Sequence, residues 1–239
     1  MDIPRRPQFI HHNRSAVTEG LREIVFGAED GMVSTVGALT GIAAGTENSA
    51  IVILAGLVLI CVESVSMGVG SYVSNKSSQR VRERMLHEER IELREMPKEE
   101  ESELLEMYKR DGWPKDLAGQ MANAASKNEE LFLKEMAYRE LGIVPGETGN
   151  PLRDGTFMFV SYSLGGAVPI LPYFMLPVAQ AAGVSIVITL AGLFGLGAMT
   201  TRFTKQSWLK AGTEMLILAS AAASIGYLVG IAADAYLGV

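Results

Sequence analysis

Ala50-Ile-Val-Ile-Leu-Ala-Gly-Leu-Val-Leu-Ile-Cys-Val-Glu63-Ser-Val-Ser-Met67-Gly-Val-Gly-Ser-Tyr-Val73 runs straight into Ser74-Asn-Lys76-Ser-Ser-Gln-Arg80-Val-Arg-Glu-Arg84-Met-Leu-His-Glu88-Glu-Arg-Ile-Glu92-Leu-Arg-Glu95-Met-Pro97. The first half is long and apolar enough to cross a bilayer, which needs about 20 residues. The second half is densely charged, and no breaker interrupts it before Pro97. A helix that leaves the membrane and continues into water satisfies both halves. The expected fold class is therefore an all-α membrane protein with a helical, water-exposed insert.

The rest of the chain repeats the contrast. Hydrophobic residues make up 48% of the 239, the mean hydropathy is +0.20, and the apolar residues lie in two blocks, about 24–75 and 155–239. Besides 50–73, four further segments read as spans: 24–45 with Glu29 and Asp30, 156–176 with Pro169 and Pro172, the short Gly-rich 184–201, and 209–237 with Glu214 and Asp234. The division expected is 1–75 with transmembrane helices one and two, 76–150 as a cytoplasmic acidic helical metal-binding domain, and 151–239 with transmembrane helices three to five.

Basic residues stay on the cytoplasmic side of short loops. Four precede span one, fourteen lie between Lys76 and Arg153, and three lie between spans four and five, which accounts for all 21. Five spans with a cytoplasmic N-terminus and an external C-terminus meet the rule without exception. The net charge of −6 gives no reason to expect nucleic-acid binding. The single cysteine, Cys61, excludes an intramolecular disulfide. No cleaved signal peptide is visible, and the lack of a targeting segment points to a prokaryotic plasma membrane.

Nine acids crowd the stretch from Glu88 to Glu106, opposed only by Arg90, Arg94 and Lys98. Residues three apart share a helix face, so Glu89 projects with Glu92, and Glu100 with Glu103. Two such pairs facing each other across Pro97 could hold a hard or borderline divalent cation. The same acids could equally form a solvated face. Inside the spans, Asp30, Glu63 and Met67 combine oxygen and thioether ligands suited to Fe²⁺ or Mn²⁺. Gly31 is expected to loosen the packing beside Asp30. No Glu-x-x-His pair supports a di-iron oxidase, and no histidine lies in a span to support an intramembrane hydrolase.

The segment from Phe26 to Ser34 with its Glu-Asp-Gly, the Glu63-to-Tyr72 segment with its Ser-Met-Gly, and the acidic helices ending in Tyr138-Arg-Glu-Leu-Gly142 resemble the vacuolar iron transporter (VIT) family. The resemblance implies a homodimeric, proton-coupled exporter of Fe²⁺ and Mn²⁺ from the cytosol, and no enzyme. It places the translocation path on Asp30, Glu63 and Met67. It places cytoplasmic metal ligands on Glu89, Glu92, Glu100, Glu103 and Glu140, with Met136 beside the last. No cofactor is expected to be bound permanently; Fe²⁺ or Mn²⁺ would be cargo, with Zn²⁺ a further occupant of the cytoplasmic sites. A non-transporting membrane metal sensor or scaffold is the competing expectation, although it leaves Asp30 and Glu63 without a role.

Overall fold

The computed structural model describes residues 20–144, 149–217 and 220, and all regular structure among them is helical. The helices are α1 (Leu21–Gly45), α2 (Ser49–Glu95), α3 (Pro97–Arg110), α4 (Lys115–Ser126), α5 (Glu129–Arg139), α6 (Pro151–Ile170) and α7 (Val178–Thr204). A 3₁₀ turn, Leu171–Phe174, follows α6, and 208–217 is helical.

Local chemistry sets these boundaries. The 47-residue α2 runs unbroken until Pro97, which then occupies the first turn of α3, where its missing N–H costs nothing. Gly112 takes a φ of 96° in the α3–α4 turn, a left-handed conformation that favours glycine. Asn128 caps α5 by accepting a hydrogen bond from the Leu131 N–H at 3.1 Å. Pro169 and Pro172 tighten the end of α6 into the 3₁₀ turn.

The chain divides into two compact units. One comprises the residues up to Tyr72 and from Leu152 onward; the other is Val73–Pro151. In the first, Leu39, Val52, Ile60, Ile170, Tyr173, Val178 and Ala181 form a buried cluster drawn from α1, α2, α6, the 3₁₀ turn and α7. In the second, Leu93, Leu104, Met107, Tyr108, Phe132, Met136 and three alanines of α4 form the core.

Among the described residues, three helical stretches are long and apolar enough to cross a membrane: Ser49–Glu95, Pro151–Phe174 and Val178–Thr204. The expected first span is a helix of 25 residues, but adjacent Glu29 and Asp30 lower its hydropathy and it is not among the three. The expected fifth span, 209–237, lies largely outside the described residues, as does Asp234.

Backbones nearly touch where α1 meets α6. A Cβ added at Gly31 would lie 2.4 Å from the Tyr162 carbonyl oxygen, and one at Gly165 would lie 2.3 Å from the Ala28 carbonyl oxygen. Gly27 faces Met158 and Ser161, one turn earlier on both helices, so α1 and α6 run parallel. Gly68 of α2 meets Gly155 of α6 in the same way, at 2.7 Å from an added Cβ. Small residues permit this approach where apolar surroundings supply no hydrophobic drive between helices. Gly31 therefore tightens the packing beside Asp30, contrary to the loosening expected from the sequence.

Candidate metal centre

Three carboxylates converge in the Val73–Pro151 unit. Oxygens of Glu89, Glu100 and Glu140 lie within 4.8 Å of one another. Each acid stands one helical turn from a core side chain: Glu89 before Leu93 on α2, Glu100 before Leu104 on α3, Glu140 after Met136 at the end of α5. Residues four apart share a helix face. Burying the three apolar stripes against one another therefore brings the three acids together at their ends.

Glu89 is 2% exposed and Glu100 6%, whereas Glu140 reaches solvent. Glu89 Oε1 and Glu100 Oε2 are buried with no hydrogen-bond partner, and none of the three acids is ion-paired among the described residues. Two charges 4.8 Å apart repel by roughly 3 kcal/mol at an effective dielectric constant of about 20. That cost, added to desolvation, disfavours a fully ionised cluster without a cation. Burial, then the charges of Glu140, Glu100 and Glu92, push the Glu89 carboxyl up to about 8. Burial also raises Glu100, with Glu103 the foremost neighbouring charge. Glu140 is raised by burial and by Glu103, against a lowering hydrogen bond from Glu89. A protonated Glu89 donating to Glu140 accounts for the opposite signs of that bond on the two partners. The donor set, all oxygen with two orphaned atoms, fits a hard or borderline divalent ion.

Of the sequence pairs, one member of each turns inward. Glu92 and Glu103 are exposed and contribute negative charge around the cluster from outside it. Met136 is fully buried in the apolar core. A polar cleft lined in part by Glu103, Arg110, Arg139 and Glu140 opens beside the cluster. Arg139 is anchored: it stacks over the Tyr108 ring at 4.4 Å, donates to Glu135 at 3.1 Å, and pairs with Asp111. Tyr108 donates to the same Glu135 oxygen at 3.0 Å. This network fixes the turn of α5 that presents Glu140. Its members are dispersed between residues 108 and 139, and nothing in their spacing announces it.

In the other unit, Asp30 and Glu63 are half-buried on α1 and α2, and Met67 follows Glu63 by four residues on the same face. The Ser34 hydroxyl donates to Asp30 Oδ1 at 2.9 Å. Tyr162 of α6, absent from the sequence expectations, lies within electrostatic reach of both carboxylates.

A family model described as the VIT family matches residues 21–231. Vacuolar iron transporter 1 of Arabidopsis thaliana is 30% identical over 220 residues, covering 91% of this chain and 88% of that protein. Vacuolar iron transporter 2 of Oryza sativa subsp. japonica is 31% identical, covering 93% and 89%. The vacuolar iron transporter of Plasmodium falciparum is 27% identical, covering 92% and 84%. These relatives overturn the expected prokaryotic plasma membrane: they come from plants and an apicomplexan and are named for the vacuole. Hydropathy and basic-residue bias set how spans are oriented, not which bilayer receives them, so the chain's apolar segments give no physical ground for that compartment.

Proposed function

The chain belongs to the VIT family, and on that premise we propose that it exports divalent iron, and manganese with it, from the cytosol across a membrane in exchange for protons. The observation that carries the reading is the buried Glu89–Glu100–Glu140 cluster with its two orphaned oxygens. In this proposal the Val73–Pro151 unit faces the cytosol and five spans embed the remainder. The three clustered acids capture the ion, and Glu92 and Glu103 raise its local concentration. Met136 supports α5 from within the core. The ion loses water and passes Asp30, Glu63 and Met67, and protons entering from the far side displace it. Two copies of the chain work together, as the family resemblance implies.

Binding needs deprotonated carboxylates, so capture and proton release are one event at Glu89. Reconstituted protein should move Fe²⁺ across proteoliposomes under a pH gradient. Asp30→Ala and Glu63→Ala should each abolish flux. Glu89→Gln with Glu100→Gln should lower apparent metal affinity by at least about 100-fold, beyond what loss of a supporting group costs. Parent-rate flux in the Asp30 and Glu63 variants would remove them from the path. Metal binding without flux of any divalent ion would favour a sensor.

A further inference from the structure

We propose that Thr35 is a cargo-contacting residue of the ion path, its hydroxyl forming, with the Gly165 main-chain carbonyl, an uncharged oxygen step between the carboxylates of Asp30 and Glu63 and the far side. The proposal rests on the reading of Asp30 and Glu63 as path residues.

Three observations build it. Thr35 is fully buried, and its Oγ1 has no hydrogen-bond partner. Four buried side-chain atoms share that state among the described residues: two belong to Glu89 and Glu100 of the candidate metal centre, and the fourth is the Tyr173 hydroxyl. An unbonded buried hydroxyl is destabilising. A helical threonine has a ready remedy, a carbonyl three or four residues back. Thr40 and Thr189 donate to Val36 and Ser185 at 2.6 and 2.7 Å, and Thr200 and Thr201 to Gly197 and Ala198 at 2.7 and 2.6 Å. Thr35 does not take that remedy. Next, Thr35 stands where α1, α2 and α6 meet. A Cβ added at Gly166 would lie 2.9 Å from both Thr35 Oγ1 and Ile60 Cγ1. Ile60 precedes Glu63 by three residues on α2, and Thr35 follows Asp30 by five on α1, a rise of about 7.5 Å. Both steps lead away from the ends of α2 and α6 that join the Val73–Pro151 unit. Lastly, a proline interrupts α6 at this level. Pro169 carries no N–H, so the carbonyl of buried Gly165, beside Gly166, has no donor four residues on.

Hydroxyl and carbonyl oxygens are hard, uncharged ligands, and interrupted helices offer such carbonyls to cations inside membranes. An ion that has reached two carboxylates needs a next position that attracts it but holds it less tightly, or it is never released. Thr35 and the Gly165 carbonyl meet that need, since neither carries a charge. In the proposed orientation they lie on the outward side of Asp30 and Glu63. A threonine kept only for packing would satisfy its hydroxyl on the Gly31 carbonyl, one turn back, as Thr40 and Thr189 do on theirs.

The test uses full-length protein in proteoliposomes, with Fe²⁺ as the probe and initial flux measured against Fe²⁺ concentration at one fixed pH gradient. Melting temperatures of the same variants are measured in detergent. Thr35→Val keeps the branched shape and removes only the hydroxyl. Maximal flux should fall about tenfold, the order of one lost bond to a charged group, with the apparent KM within about twofold of the parent because the capturing carboxylates are intact. Its melting temperature should equal or exceed the parent's, since a methyl group replaces an unbonded buried hydroxyl. Thr35→Ser, which retains the hydroxyl, should keep maximal flux within about threefold of the parent. Parent-like flux in Thr35→Val, with Asp30→Ala and Glu63→Ala inactive, would overturn the role of Thr35 and leave the path reading standing. A lowered melting temperature in Thr35→Val, or equal flux losses in the valine and serine variants, would make Thr35 a structural residue and overturn the proposal too. Parent-like flux in Asp30→Ala and Glu63→Ala would instead remove the path reading, and the proposal with it.

Discussion

A carboxyl group titrating at about 8 keeps its proton at neutral pH, so a divalent ion arriving at Glu89 must displace it. The consequence for stability has a definite sign. The folded state holds this proton more tightly than the unfolded chain, whose glutamate titrates near 4.5. The favourable contribution is therefore complete below about 4.5 and is lost as pH rises toward about 8. In a Trp208→Phe background, Trp113 alone reports on the acidic unit, because the chain has two tryptophans. Its apparent unfolding temperature in metal-free, full-length protein should fall between pH 5 and pH 8, within the window set by Glu89. Mn²⁺ should restore it, and Glu89→Gln should flatten the slope. An unchanged slope in Glu89→Gln would transfer the effect to other groups. Sequence alone shows that this region is rich in acids. It does not show which acids are buried, because that depends on where Leu93, Leu104 and Met136 meet.

Helices are the most legible elements. Pro97, the Gly112 turn and the Asn128 cap are local features, and they coincide with the start of α3, the α3–α4 turn and the start of α5. Helix contacts are not local. A glycine in an apolar run reads as a flexible point until a second backbone is known to lie against it. Gly31 and Gly165 have carbonyl oxygens closer than 2.5 Å to an added Cβ, whereas Gly37 and Gly41 have nothing within 4 Å. Gly31→Ala should therefore destabilise the detergent-solubilised protein by about 1–3 kcal/mol, the usual cost of overpacking. Gly37→Ala should be neutral or slightly stabilising, since alanine favours the helix by up to about 1 kcal/mol. Comparison of their apparent melting temperatures checks both. Equal shifts would mean that α1 and α6 part easily.

For the molecule as a whole, hydropathy and charge carry most of the legible information. The sharp change of composition near residue 75 lies close to where the two compact units part. The proposed orientation follows from the basic residues and is open to direct test. In a Cys61→Ala background, Ser102→Cys should react with a membrane-impermeant thiol reagent from the cytosolic side only. Glu47→Cys should react only from the opposite side. Labelling of both from one side would defeat the odd-numbered span arrangement. The compartment was the part least available from sequence, because neither hydropathy nor charge distinguishes one bilayer from another.

The glycine crossings also constrain how a cargo site could be opened first to one side and then to the other. Gly27, Gly31 and Gly165 join α1 to α6 backbone to backbone, and Gly68 and Gly155 join α2 to α6. At these crossings the two backbones meet with little side chain between them to re-pack and act as a lubricant. Sliding at these crossings would drive main-chain atoms into one another. These three helices are thus suited to move as one rigid block that carries Asp30, Glu63 and Tyr162 together. Side chains, by contrast, cushion the seam between Met32 of α1 and Leu193 of α7, where re-packing can absorb small shifts.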